Sequence, residues 1–327
     1  MTSAQTKVLL ILTNLVSIVC LIWVLRGANL ENLGAEIRAM HWGWVAFAVI
    51  ADIFVYFLQG WRWSILLEPV AKVPVMRSVR AIYVGLFANE ILPFRSGEVI
   101  RCYLQARWGK LPLGVTLSSA LIERVFDGVW LVLYLAVVVQ FVDVPRHVRN
   151  GGFAMLLIIA AIAGLLAWVM FYKQHAKAAA SQSRWKGRLE VIVDDLHAIG
   201  SSRSFYFAWL ASLPHLLSMT LPIYGAMRAY GLDELDIWDA AIINILVRLG
   251  TVIPAAPSNL GTYQAATVVA LTLLGVAGAQ AKRFSLVLWG IITVPLLVAG
   301  FIALSVTGFK IKELLKRAEH EASTTKV

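Results

Sequence analysis

The stretch "LFANEILPFRSGEVIRCY", Leu86 to Tyr103, decides how this chain must fold. It holds two acids, Glu90 and Glu98, two arginines, Arg95 and Arg101, and the breakers Pro93 and Gly97, all closely flanked by apolar residues. A charged side chain at the centre of a bilayer costs about 2.5 to 3.5 kcal/mol on insertion scales, so several near one break imply pairing or a wet cavity. Basic residues precede the stretch (Arg62, Lys72, Arg77, Arg80) and follow it (Arg107, Lys110). By the positive-inside rule both flanks are cytoplasmic, which predicts that residues 81–103 enter the membrane and return as a re-entrant pair of half-helices.

Composition supports a membrane setting. Of 327 residues 59% are hydrophobic and 15% charged, with a mean hydropathy of +0.75, whereas soluble domains carry about a quarter charged residues. Runs such as Val8 to Leu25, Gly151 to Tyr172 and Phe284 to Val306 reach the roughly 20 residues that span the hydrocarbon core as a helix. Lys7 before the first run suggests a signal peptide, but the run is longer than a usual signal core and no small-x-small cleavage pattern follows Leu25 closely, which favours a retained helix. The expectation is an all-α, polytopic integral membrane protein, a single transmembrane domain over residues 1–327.

The remaining organisation follows from charge. Gly43 to Trp61 is a second span, and Leu113 to Val142 a third, followed by the Gly151 to Tyr172 run. Residues 173–204 form a basic cytoplasmic loop in which Leu189, Ile192, Leu196 and Ile199 recur at helical spacing, the pattern of a surface helix or a packed connector. Phe205 to Ala226 crosses outward to an acidic loop with Asp233, Glu234 and Asp236, and Phe284 to Val306 leads to a basic tail, 307–327. For that tail to be cytoplasmic, residues 240–278 must dip from the outer side as a second hairpin, broken at "PSNLG", with Lys282 and Arg283 the weak point of this topology. About six full spans plus two oppositely inserted hairpins result, with both termini cytoplasmic in the inner membrane. "PFRSG" at Pro93 and "PSNLG" at Pro257 share P-x-x-x-G, and opposite entry is what an inverted-topology repeat produces.

Other chemistries find little support. The net charge of +10 lies between spans, where it meets anionic headgroups, so nucleic acid is not an expected partner. No P-loop pattern occurs, the longest polar interval is too short for a soluble catalytic domain, and two cysteines and six scattered histidines do not make a metal site. No cofactor is expected. His215, at membrane depth, reads as a packed residue, and Trp42, Trp44, Trp61, Trp63, Trp108 and Trp238 read as interfacial anchors.

Three sets carry the chemistry. In the first hairpin Glu98 and Arg101 are spaced to pair, leaving Arg95 without a local partner. Either Glu90, Glu98, Arg95 and Arg101 form a structural charge network, or the arginines face a cavity and bind an anionic group. In "LIERVFDG" Glu123, Arg124 and Asp127 share neighbouring parts of one helix face and carry one net negative charge, which an arginine from the hairpin would compensate. In "PSNLGTYQ", between Pro257 and Gln264, Ser258 and Asn259 can cap the half-helix beginning after Gly261, and Thr262 and Tyr263 add polar groups. A half-helix N-terminus in the membrane directs unpaired N–H groups inward, a setting for phosphate; a mere kink is the alternative.

"NEILPFRSGEVIR", "ALIERVFDGVWLVL" and "IPAAPSNLGTYQAATVVALTLLGV", in this order and spacing, resemble the lysylphosphatidylglycerol synthase transmembrane, or flippase-like domain, family, over about Lys7 to Gly308. The resemblance implies a bacterial or archaeal inner-membrane protein that handles lipid, without the soluble aminoacyl-transfer domain of its best-known relatives. The family pattern is met by Asn89, Pro93, Arg95, Gly97, Glu98 and Arg101, and by Glu123, Arg124 and Asp127. At the second break the family often has Pro-Gly and a later glutamate, where this chain has Ser258 and Gln264, which puts a proton-coupled role at that hairpin in doubt.

The expected function is translocation of an anionic phospholipid, a glycolipid or a hopanoid-type lipid, flippase- or scramblase-like. Asn89, Arg95, Arg101, Ser258, Asn259, Thr262 and Tyr263 would meet the headgroup, and Glu90, Glu98, Glu123, Arg124 and Asp127 would form the charge network. The alternatives are a lipid-linked glycosyl or acyl transferase, and a non-transporting subunit that partners a lipid-modifying enzyme.

Overall fold

In lipid every backbone N–H and C=O must be satisfied within the protein, which leaves an apolar chain of this kind the helix. A computed structural model describes residues 3–92, 96–142, 161, 199–200, 202–251 and 257–324, and among them there is no strand. The helices are α1 (Ser3–Leu25), α2 (Leu33–Ala39), α3 (Trp42–Leu67), α4 (Val75–Ile91), α5 (Gly97–Gly109), α6 (Leu113–Val138), α7 (Arg203–Ser218), α8 (Thr220–Tyr230), α9 (Ile237–Gly250), α10 (Thr262–Leu273), α11 (Gly278–Ser305) and α12 (Ile311–Thr324). Short 3-10 turns occupy Leu30–Asn32 and Pro257–Asn259.

Among the described residues two helices, α3 and α11, are long and apolar enough to cross a membrane, and Asn14–Leu25 with Leu30–Ala39, bent by 75°, makes a third candidate. The expected Gly151–Tyr172 span, apart from Ala161, and the 173–204 loop up to residue 198 lie outside the described residues. The surface matches a lipid solvent. Ile50 (66% exposed), Phe207 (62%) and Phe301 (62%) face outward, while Arg62, Arg101 and Glu123 are buried.

The α3 helix corrects one reading of the sequence. It runs to Leu67 rather than stopping at Trp61, so Arg62 and Trp63 lie fully inside the protein instead of in a cytoplasmic basic segment or an interfacial belt. The Trp63 indole N–H donates to Ser119 Oγ at 2.9 Å. An apolar run followed by basic residues conceals this, because the helix continues through its first arginine.

Helices α4 and α5 form an antiparallel hairpin. Gln105 Nε2 donates to Ser78 Oγ at 2.8 Å near its open end, and near its tip the backbones of Gly85 and Gly97 touch. Small residues are what permit such close approach between membrane helices. A second hairpin, α9 with α10, packs Gly250 against Ala266. The tips meet where Ser258 Oγ donates to the Glu90 carbonyl at 3.2 Å. Helix α1 lies against the start of α10 at Gly261, whose φ of +92° suits glycine and where a Cβ would overlap the Ser17 carbonyl.

Around the hairpins, α3 packs on α7 and α8, α4 on α11, and α6 on α9. At the end of α11 that leads to α12, Leu314 and Ala318 are buried in the cluster holding Leu104 and Ala106 of α5, and the guanidiniums of Arg107 and Arg317 lie over the Phe309 ring at 5.1 and 5.2 Å. At its other end, Arg283 donates to Glu36 at 2.8 Å and to the Ala28 carbonyl at 3.0 Å, and Lys282 Nζ donates to the Arg26 carbonyl at 2.6 Å. The two cations that strained the expected topology are thus taken up by the turn after α1.

The Gly85–Gly97 contact makes a sharp test. An alanine Cβ at 97 would overlap the Gly85 carbonyl and lie 2.6 Å from Asn89 Oδ1, whereas one at Gly290 in α11 meets nothing within 4 Å. Gly97→Ala is expected to destabilise by at least the about 1 to 3 kcal/mol of core overpacking, and Gly290→Ala to be neutral or mildly stabilising. Thermal unfolding of the detergent-solubilised variants checks both.

Candidate functional site at the meeting of two helix breaks

Six charged side chains join α3, α5 and α6 in a closed ring of alternating sign. Arg62 pairs with Glu123 at 3.0 Å, Glu123 with Arg101 at 2.9 Å, and Arg101 with Glu98 at 2.9 Å. Glu98 then pairs with Arg124 at 2.8 Å, Arg124 with Asp127 at 3.7 Å, and Asp127 with Arg62. Three carboxylates and three guanidiniums cancel. Arg62 also donates to Ser212 Oγ at 3.2 Å, tying α7 to the ring, and Arg101 lies over the Trp63 ring at 4.7 Å. The local negative charge of Glu123, Arg124 and Asp127 is therefore met by two arginines, one from the hairpin and one from α3.

The helix breaks are closed by side-chain amides. At the first, Gly97 N–H donates to Asn89 Oδ1 at 2.8 Å; at the second, Gly261 N–H donates to Gln264 Oε1 at 2.6 Å. Ser258 and Asn259 do not cap α10: both have left-handed φ, +63° and +47°, and Ser258 Oγ is turned to the Glu90 carbonyl. Thr262 Oγ1 donates to the Asn259 carbonyl at 3.1 Å, inside the turn. Gln264 thus stands where an acceptor is needed, and an amide oxygen meets that need as a carboxylate would.

Between the hairpin tips lies a cavity of about 300 Å³. Its wall includes Asn89, Glu90, Glu98, Arg124, Pro257, Ser258, Asn259 and Tyr263 from the sequence-derived set. Arg101, Glu123 and Asp127 sit behind that wall in the ring, Gly97 and Gly261 are packing contacts, and Pro93 and Arg95 lie outside the described residues.

Sequence reasoning missed three wall residues, Asp52, Asn244 and Arg248. The Arg248 guanidinium contacts the Met219 sulfur, and among the described residues no carboxylate is within ion-pair distance of it. Each is a lone polar group within an apolar run, which is the signal that could have found it. His215, fully buried on α7, has Nδ1 3.2 Å from the Val55 carbonyl, a packed role.

Ring closure predicts unequal costs. Arg62→Leu leaves buried Glu123 and Asp127 short of a partner and is expected to cost about 3 to 5 kcal/mol. Arg124→Ala, at a half-exposed position on the cavity wall, leaves Glu98 its Arg101 and Asp127 its Arg62 and is expected to cost less than Arg62→Leu. Thermal unfolding in detergent should show that order, with Arg62→Leu/Asp127→Asn recovering part of the loss.

The chain was compared with known proteins. A relative, the UPF0104 membrane protein of Methanocaldococcus jannaschii, is 25% identical over 232 residues, covering 63% of this chain and 92% of the relative. The family described as the lysylphosphatidylglycerol synthase TM region matches residues 9–300, which take in both hairpins, the ring and the cavity. The chain belongs to the lysylphosphatidylglycerol synthase transmembrane-region family.

Proposed function

We propose that this protein is a flippase- or scramblase-like transporter that holds an anionic lipid headgroup in the cavity between the two hairpin tips. The observation that carries the reading is Arg248, a cation on the cavity wall with no carboxylate partner among the described residues. A guanidinium is suited to a phosphate, to which it presents a planar fork of donors. Asn244, Ser258, Asn259 and Tyr263 add polar contacts around it. Arg124 at the wall would be a second contact, able to exchange Glu98 for the headgroup. Arg95 remains a headgroup contact expected from the sequence. The ring would hold Arg101 as a positioning residue, because both of its carboxylate partners are already engaged. A cavity of this volume suits a headgroup while the acyl chains stay in lipid.

The proposed membrane placement draws on the same packing. In this reading α4–α5 and α9–α10 are re-entrant hairpins from opposite faces, in a chain of about six spans with cytoplasmic termini in the inner membrane. Support comes from the packing: exchanging α3 with α7–α8, α4 with α9, α5 with α10 and α6 with α11 turns the α4–α11 contact into the α9–α6 contact. Such an exchange is what an internal repeat produces, and in the inverted form proposed here the binding site would lie at midplane between broken helices. Helix α12 would lie on the cytoplasmic face, with Glu36 and Arg283 on the other.

The test uses the full chain in vesicles containing fluorescent phosphatidylglycerol, with a membrane-impermeant quencher reporting translocation. Arg248→Ala should lower the protein-dependent rate at least tenfold, equivalent to about 1.4 kcal/mol of lost interaction, while Lys316→Ala on the exposed side of α12 should not. Equal rates for Arg248→Ala and the unaltered chain would remove the headgroup role from this residue.

A further inference from the structure

Outside the neutral ring, the charged groups on the cavity wall among the described residues are Asp52, Glu90 and Arg248. Asp52 is the unusual one. It projects from the middle of α3, is 6% exposed, and faces the cavity. Among the described residues it has neither a hydrogen-bond donor nor a cation within ion-pair distance, in contrast to Glu98, Glu123 and Asp127, each of which has an arginine. Glu90, on the opposing hairpin, likewise has its Oε2 buried without a partner.

A headgroup that fills the cavity takes from Asp52 the little solvent contact it has, and an ionised carboxylate left without water or partner is opposed by several kcal/mol, a cost the neutral acid escapes. The cavity adds a second constraint. With Asp52 and Glu90 ionised, Arg248 charged and Arg95 at the headgroup as proposed above, the wall outside the ring is neutral, so an anionic headgroup adds one negative charge with no counterpart. Resting on the proposed anionic substrate, we propose that Asp52 takes up a proton as the headgroup enters, so that lipid and proton occupy the cavity together.

No other group around Asp52 is as well placed for this. Tyr56 on α3, Tyr83 on α4 and Tyr263 on α10 are phenols, which do not ionise near neutrality. Glu98 on α5 and Arg124 and Asp127 on α6 belong to the ring. His215 on α7 is behind the wall on a backbone carbonyl. Helices α8 and α11 present Pro222, Ile223, Trp289 and Thr293 to the cavity, none of which titrates. Arg248 on α9 is a permanent cation. Glu90 is the one competitor, and it differs in standing at the hairpin tip, where the Ser258 hydroxyl of the opposing turn donates to its backbone carbonyl.

By linkage, a proton bound with the headgroup tightens headgroup binding as pH falls, by up to about tenfold per pH unit above the carboxyl's own titration. Two measurements on the full chain test this. In weakly buffered detergent with a pH indicator, adding short-chain phosphatidylglycerol should draw protons from solution, and Asp52→Asn should bind the lipid with no uptake and a flat pH dependence. Infrared difference spectra of the protein in vesicles, between about pH 5 and 8, should show a protonated carboxyl band that Asp52→Asn removes. Uptake that survives Asp52→Asn and vanishes in Glu90→Gln would overturn the assignment to Asp52. Lipid binding without proton uptake would overturn the coupling and leave the anionic-substrate reading standing. Failure of the lipid to bind at any pH, with the carboxyl band present, would remove that reading and the coupling built on it; absence of the band overturns Asp52 as proton carrier whether or not lipid binds.

Discussion

The closed ring of Arg62, Glu123, Arg101, Glu98, Arg124 and Asp127 is the interaction on which the rest of the structure depends. Lipid offers no counterion and no water, so charge inside a membrane protein must be cancelled by charge. Three of each sign, drawn from α3, α5 and α6, accomplish this while fixing where the second arm of the first hairpin sits. A pair could tolerate sliding of one helix along another; a ring with members on three helices cannot, because each displacement opens two contacts. The apolar packing then has a defined register, and Gly85 meets Gly97 backbone to backbone. Neutrality has a further effect. Because the ring leaves no net charge, the cavity in front of it takes its electrostatic character from the few groups outside it.

How much of this was legible in the sequence depended on contrast. Glu98, Arg101, Glu123, Arg124 and Asp127 stand out because charge is rare in apolar stretches, and their spacing on a helix face is readable by eye. Arg62 is as central as any of them, yet it stands where an apolar run gives way to Lys72, Arg77 and Arg80, and counting positive charge absorbed it into a loop. The distinction between a helix that ends before a residue and one that continues past it is a tertiary matter: Trp63 and Arg62 are inside because Ser119, Glu123 and Asp127 wait for them on α6. Asp52 and Arg248 were concealed differently, as single polar residues in otherwise ordinary apolar helices. Nothing local pairs with them, and only the fold reveals that both face one cavity.

The two breaks show the same division between local and tertiary information. Proline and glycine at a shared spacing mark where the helices stop. What satisfies the backbone there is not deducible from spacing alone. Ser258 and Asn259 have the residue types of a cap, yet the turn places both in left-handed conformations and the acceptor is Gln264, within α10. At the first break the acceptor, Asn89, belongs to the opposite arm of the hairpin. The amides achieve one end by different routes, so the two P-x-x-x-G motifs share a physical task rather than a residue-by-residue pattern. Closing a glycine N–H internally also means that the break is not simply an open helix end. In the proposed function anion recognition would then fall to side chains, which is why Arg248 weighs more there than the helix termini.

Lys282 and Arg283 illustrate why charge counting alone is an incomplete guide to orientation. A count places these cations on the cytoplasmic face, against the side required by the second hairpin. In the structure they bind the carbonyls of Arg26 and Ala28 and the carboxylate of Glu36, which arrives from the helix after α1. A cation whose charge is neutralised by a carboxylate and whose donors are occupied by carbonyls exerts less pull towards anionic lipid than a free one, since the headgroup would have to displace partners already in place. The bend after α1 brings those partners to the head of α11. In the proposed topology, orientation would then follow the basic residues left unsatisfied after folding, and the turn that takes up two of them removes the objection to hairpins entering from opposite sides.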